Sequence, residues 1–123
     1  MATVTATATT FEQTVTDNDI VLVDFWAAWC GPCRMFAPVF EKASETHEDI
    51  VFAKVDTEAE PVLAGQAGIS SIPTLMAFRE GILVFAQPGA LPAPALEQLI
   101  GAVRALDMDA VREQIAAENR SVS

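Results

Sequence analysis

Cys30 and Cys33 enclose Gly31-Pro32 at the junction of two different sequence patterns. Before them, Ile20 to Trp26 (IVLVDFW) is a nearly continuous apolar run of β-branched and aromatic side chains, the pattern of a strand covered on both faces. After them, Met35, Phe36, Val39, Phe40 and Ala43 recur at helical spacing, and Glu and Lys residues take over towards Glu48. A buried strand that runs through Gly-Pro into a long helix requires a sheet with helices packed against it, and this strand is expected at its centre.

The remaining segments fit that frame. Thr3 to Thr7 alternates threonine with small apolar residues as a strand would, and Thr10-Phe-Glu-Gln13 has the spacing of a capping box opening a short helix. Ile50 to Val55 reads as a second buried strand, followed by Thr57-Glu-Ala-Glu60, again at capping-box spacing, and a short helix ending near Gly65 or Gly68. Thr74 to Phe78 and Ile82 to Ala86, separated by Arg79-Glu80-Gly81, predict an antiparallel hairpin closed by Pro88-Gly89. From Ala93, Leu96, Leu99, Ile100, Val103 and Leu106 mark a final packing helix. The order predicts an α/β fold: a central mixed β-sheet flanked by helices on both faces. Residues 1–106 are expected to form the domain, and 107–123 a C-terminal helical extension or frayed tail, with Met108, Val111 and Ile115 on one face.

Length and composition exclude several classes. A chain of 123 residues with 51% hydrophobic and 20% charged residues is expected to fold around one core and is too apolar for general disorder. Seven Lys and Arg against 17 Asp and Glu leave a net charge of −10, which repels phosphate backbones and anionic lipid, so nucleic acid and membrane surfaces are not expected partners. The first ten residues hold no basic residue and do not resemble a secretory signal. The uncharged stretch Gly81 to Leu96 is too short to span a bilayer and is broken by Pro88, Pro92 and Pro94. The expected compartment is the cytoplasm.

Two cysteines three positions apart are no disulfide scaffold and must be read as a site. At the start of a helix, the Cys30 sulfur would lie near unpaired backbone N–H groups, which favour its thiolate, the form that attacks disulfides. Cys33, one turn further on, shares its helix face and could close an intramolecular bond to it. Two other readings stay open. The pair could be half of a zinc site, although His47 is the only histidine and no further cysteine exists. It could also be two inert core thiols, although Gly-Pro at such a junction argues for exposure. His47, among Glu45, Glu48 and Asp49, reads as a solvated helix-end residue. Strand alternation puts Asp24 on the face of Ile20, Leu22 and Trp26, so its carboxyl should be buried, with a raised pKa suited to general-base work on Cys33. Lys54, on the next strand, could neutralise or tune it.

Val23 to Pro38 (VDFWAAWCGPCRMFAP) resembles the active-site region of thioredoxins. Gly68-Ile-Ser-Ser-Ile-Pro-Thr74 resembles the family's loop holding a cis-proline, and Pro88-Gly89-Ala90 its glycine-containing turn; the likeness spans about residues 5 to 106. It implies the thioredoxin fold and the reduction of protein disulfides, with Cys30 as attacking thiol, Cys33 as resolving thiol, Asp24 as the buried acid and Lys54 as its neighbour. Gly31 and Pro32 between the cysteines resemble the reducing members rather than oxidases or isomerases. The implied client groove is lined by Trp29, Ile72, Pro73 and Gly89, with Trp26 and Trp29 flanking the site and the backbone of Ile72 free to pair with an extended client. The implied partners are disulfide-containing clients and a thioredoxin reductase carrying its own flavin and NADPH; the chain itself is expected to bind no cofactor or metal and to act as a monomer. Ser70-Ser71, where many relatives carry a basic residue or glycine, and Arg34, where lysine is also common, depart from the pattern and bear on partner preference. The competing reading is a thioredoxin-fold binding subunit or holdase without redox turnover.

Overall fold

The computed structural model describes residues 2–122, so Met1 and Ser123, the outer ends of the two segments expected above, lie outside the described residues. The chain runs β1 (Thr3–Thr5), α1 (Phe11–Thr16), β2 (Ile20–Trp26), α2 (Gly31–Thr46), β3 (Val51–Asp56), α3 (Pro61–Gln66), β4 (Thr74–Arg79), β5 (Ile82–Pro88), α4 (Ala93–Arg104) and α5 (Met108–Val122). The five strands form one sheet in the order β1-β3-β2-β4-β5. β3 is parallel to both β1 and β2, whereas β4 is antiparallel to β2 and to β5, so the sheet is mixed and β2 is its middle strand.

The apolar run of β2 explains this centrality, because its alternating side chains feed two separate cores. Ile20 and Leu22 join Phe36 and Phe40 of α2 and Leu96 and Ile100 of α4 on one face. Val21, Val23 and Phe25 join Leu63 of α3 on the other, with Phe11 of α1 packed against them. Register places Asp24 opposite Lys54 on β3 and Leu75 on β4. Glu80 and Gly81, both at positive φ, make the two-residue hairpin turn between β4 and β5.

Neither expected capping box forms. Thr10 does precede α1, but its hydroxyl accepts from the Thr7 N–H and caps nothing in the helix. The short helix after β3 starts only at Pro61, because the Thr57 hydroxyl donates to the Trp26 carbonyl and so ties the end of β3 to β2. Proline at the first helical position, with its φ already helical, sets that start instead.

At the other end, the Arg79 guanidinium donates to the carbonyls of Val103, Arg104 and Leu106, at 2.9, 3.1 and 2.8 Å, and closes the C-terminus of α4. α5 is a helix whose Met108 is buried, and Val111 and Ile115 lie along Leu83 and Val84 of β5. Arg112 ties it to Glu80 in the hairpin turn and to Asp109 in its own first turn. No helix among the described residues is long and apolar enough to cross a membrane.

Candidate active site

The site is built where β2 ends and α2 begins. Cys30 is the N-cap of α2, and its Sγ accepts from the Cys33 N–H at 3.1 Å, which places the sulfur at the open N–H groups of the first turn. Pro32 stands within that turn, where a missing N–H costs nothing. Cys30 and Cys33 are joined as a disulfide, with Cα atoms 5.2 Å apart, so the structure is that of the oxidised pair.

Each cysteine is only 3% exposed, against the exposure argued from Gly-Pro. The reason is packing: Ala27 lies beside the disulfide, and Trp26 and Ile72 close over it. The two residues nevertheless face different spaces. Cys30 lines an open groove of about 440 Å³ together with Trp29, Gly31, Pro32 and Ile72. Cys33 lines a separate cavity of about 100 Å³, shared with Trp26, Ala28, Arg34 and Lys54. Trp29 is 67% exposed, whereas Trp26 is half-buried with its indole N–H unpaired inside the protein.

The groove's far wall includes Thr57, Ala64 and Ile69, none of which sequence reasoning assigned to the site, and Ser70 and Ser71, which it linked to partner preference. Ile72-Pro73 is a cis peptide, and the Cys30 Sγ lies 3.7 Å from the Ile72 carbonyl oxygen. Pro73 and Gly89 are not among the groove's lining; they are joined to each other by a bond from the Gly89 N–H to the Pro73 carbonyl at 2.8 Å. Gly89 has φ +107°, a conformation that favours glycine.

Asp24 is fully buried, and neither carboxyl oxygen has a hydrogen-bond partner in the protein. Burial pushes its pKa up to about 7, against the opposing pull of the Lys54 charge. Lys54 does not neutralise it through a bond: its ammonium lies over the Trp26 ring, 5.2 Å from the centroid, at the rim of the cavity behind Cys33. His47 does stand at a helix end, as the C-cap of α2, but its ring is only partly exposed and is held by partners. Its Nε2 meets Glu97 at 2.8 Å and its Nδ1 meets Arg104 at 3.0 Å, which draws it into a network joining α2 to α4, away from the cysteines.

A disulfide at a helix N-terminus, at the end of the central strand of a mixed sheet and opening onto a groove, defines a thiol–disulfide redox protein. The comparisons narrow the class. The thioredoxin family model matches residues 2–102. The chain is 62% identical over 117 residues to the putative thioredoxin 2 of Streptomyces coelicolor, covering 95% of this chain and 87% of that one. It is 50% identical over 96 residues to thioredoxin 1 of a Nostoc species, covering 76% and 90% respectively. The solved structure of Plasmodium falciparum thioredoxin superposes with a TM-score of 0.75 at 35% identity, over 81% of this chain and 97% of that one. The chain belongs to the thioredoxin family. It is an oxidoreductase that reduces protein disulfides, and the reading as a binding subunit without redox turnover is not favoured.

Proposed function

We propose that Cys30 is the attacking thiol, Cys33 the resolving thiol and Asp24 the base that serves Cys33. In the reduced protein, the Cys30 thiolate attacks one sulfur of a client disulfide, forming a mixed disulfide and expelling the other client sulfur as a thiolate. Cys33 then gives up its proton and attacks the Cys30 sulfur, so the second client sulfur leaves and the internal disulfide reforms. Two electrons have passed to the client.

The observation that carries this assignment is the separation of the two spaces: Cys30 faces the groove a client strand would fill, while Cys33 faces the small cavity behind. That cavity also holds Lys54, whose strand position is opposite Asp24, which supports a base acting on the resolving side. A base with a pKa near 7 suits proton transfer at neutral pH. Gly31 and Pro32 shape the helix start, and Ile72, held by cis-Pro73, offers its backbone to an extended client against Trp29. Gly89 secures Pro73 from behind through its N–H.

We assign residues 1–106 to the catalytic domain and residues 107–123 to an added C-terminal segment; the family match ends at residue 102. The protein acts as a monomer in the cytoplasm and is recharged by a thioredoxin reductase that brings flavin and NADPH. Trapping tests the roles. Cys33→Ser incubated with a disulfide client should accumulate a mixed disulfide that dithiothreitol releases, and Cys30→Ser should accumulate none. The reverse pattern would exchange the two assignments.

A further inference from the structure

We infer that Met35 is an oxidation site at the mouth of the client groove, and that oxygen transferred to its sulfur weakens the docking of protein clients. The effect on docking rests on the groove beside Cys30 being where clients bind. Three methionines fall among the described residues, and the fold treats one of them differently. Met76 in β4 and Met108 at the start of α5 are 6% and 5% exposed, whereas Met35 in α2 is 75% exposed. A peroxide reaches a thioether only where solvent does, so this contrast selects one sulfur of the three. With Cys30 and Cys33 joined to each other, no thiol among the described residues competes for the oxidant.

Position gives the sulfur its consequence. Met35 follows Gly31 by four residues and Pro32 by three, one turn along the same face of α2, and both of those residues line the groove. Helical side chains lean towards the N-terminus and cover the preceding turn, so the thioether belongs to the rim beyond Gly31 and Pro32. The other large apolar side chains of comparable exposure are Trp29, at 67%, which lines the groove, and Val62, at 66%, which shares the first turn of α3 with the groove residue Ala64. Three such side chains, on the three segments that build one opening, mark a contact surface, and a flexible, polarisable thioether suits clients of differing shape. In the modification a peroxide gives one oxygen to the Met35 sulfur: the O–O bond breaks, the thioether is oxidised by two electrons to the sulfoxide, and the peroxide leaves as water or an alcohol. An apolar contact thereby becomes a strong hydrogen-bond acceptor that a client must strip of water in order to dock.

The experiment treats the disulfide form with hydrogen peroxide and maps the added oxygen by peptide mass. Met35 should gain it at least about tenfold faster than Met76 or Met108. Comparable rates at the three overturn the assignment of the site. After the peroxide is removed, the KM for insulin should be about two- to fivefold higher, with kcat kept. M35Q, which sets a polar group at the same place without oxidation, should raise KM in the same way. M35L, whatever its own starting KM, should hold that value through peroxide treatment. A KM unmoved by complete oxidation of Met35, or one that rises equally in M35L, overturns the effect on docking. A mixed disulfide retained by Cys30→Ser in place of Cys33→Ser would instead fault the reading of the groove and leave the oxidation map standing, so the two failures are told apart.

Discussion

Asp24 and Asp49 sit towards opposite ends of the sheet, one four residues into β2 and one just before β3, and the fold treats their carboxyls in opposite ways. Asp24 is buried without a hydrogen bond, and its pKa rises to about 7. Asp49 is held by Nη1 and Nη2 of Arg104, whose bonds lower its pKa to about 2. At the far end Asp49 belongs to a paired network: Arg104 also meets His47, which meets Glu97. Near the cysteines the carboxyl is left unpaired, so its proton can come and go near neutral pH. Pairing holds the frame at one end, and its omission leaves a titratable carboxyl at the other.

The largest effect expected on this contrast is in turnover: Cys30→Ser should reduce insulin reduction in dithiothreitol to the uncatalysed background, with the fold intact by circular dichroism. Next comes Asp24→Asn. Between pH 4 and 7 the folded protein keeps a proton that the unfolded chain has lost, so stability falls as pH rises through that window and is flat above it. The shift from 3.8 to about 7 corresponds to roughly 4 kcal/mol, so the asparagine variant should be more stable by that order at pH 8 and equal near pH 4, measured by denaturant midpoints. The same variant should resolve mixed disulfides slower by about 10²-fold, the worth of a positioned base. If stability at pH 8 is unchanged, the Asp24 carboxyl is not the uncompensated charge described here.

The far end should respond in the other sense. Arg79→Met takes a side-chain donor from three carbonyls and should cost about 1–3 kcal/mol of stability, with insulin reduction per folded molecule unchanged. The smallest effect is expected from Arg104→Gln. Asp49 should then titrate nearer its ordinary 3.8, seen by NMR, and melting should fall slightly, less in high salt. Because the Asp49 pKa is depressed when folded, the stability it brings is present above its ordinary value and fades as pH falls towards 2.

Much of the fold could be read from local pattern. β2 is bounded by Ile20 and Trp26 as its apolar run predicts, and α2 follows the cysteines because its apolar period starts there. Helix starts were less legible, since Thr10 and Thr57 spend their hydroxyls on other partners and no spacing rule encodes those. The burial of Asp24 followed from alternation on a strand apolar on both faces. The groove's far wall did not: Thr57, Ala64 and Ile69 come from the end of β3, from α3 and from the loop after it, and only the tertiary fold brings them to Cys30. Each looks unremarkable in sequence, one hydroxyl and two apolar side chains. The partners of His47 were out of reach of local pattern for a related reason, because Glu97 and Arg104 lie at least 50 positions away.

The anchoring of α5 has a practical corollary. Arg79 terminates β4 at the end away from cis-Pro73, and the helix that follows is tied there by Arg112 to Glu80. A dye or surface tether attached at Ala110, exposed in the first turn of that helix, would therefore sit at the sheet end remote from the groove, leaving docking to clients unobstructed.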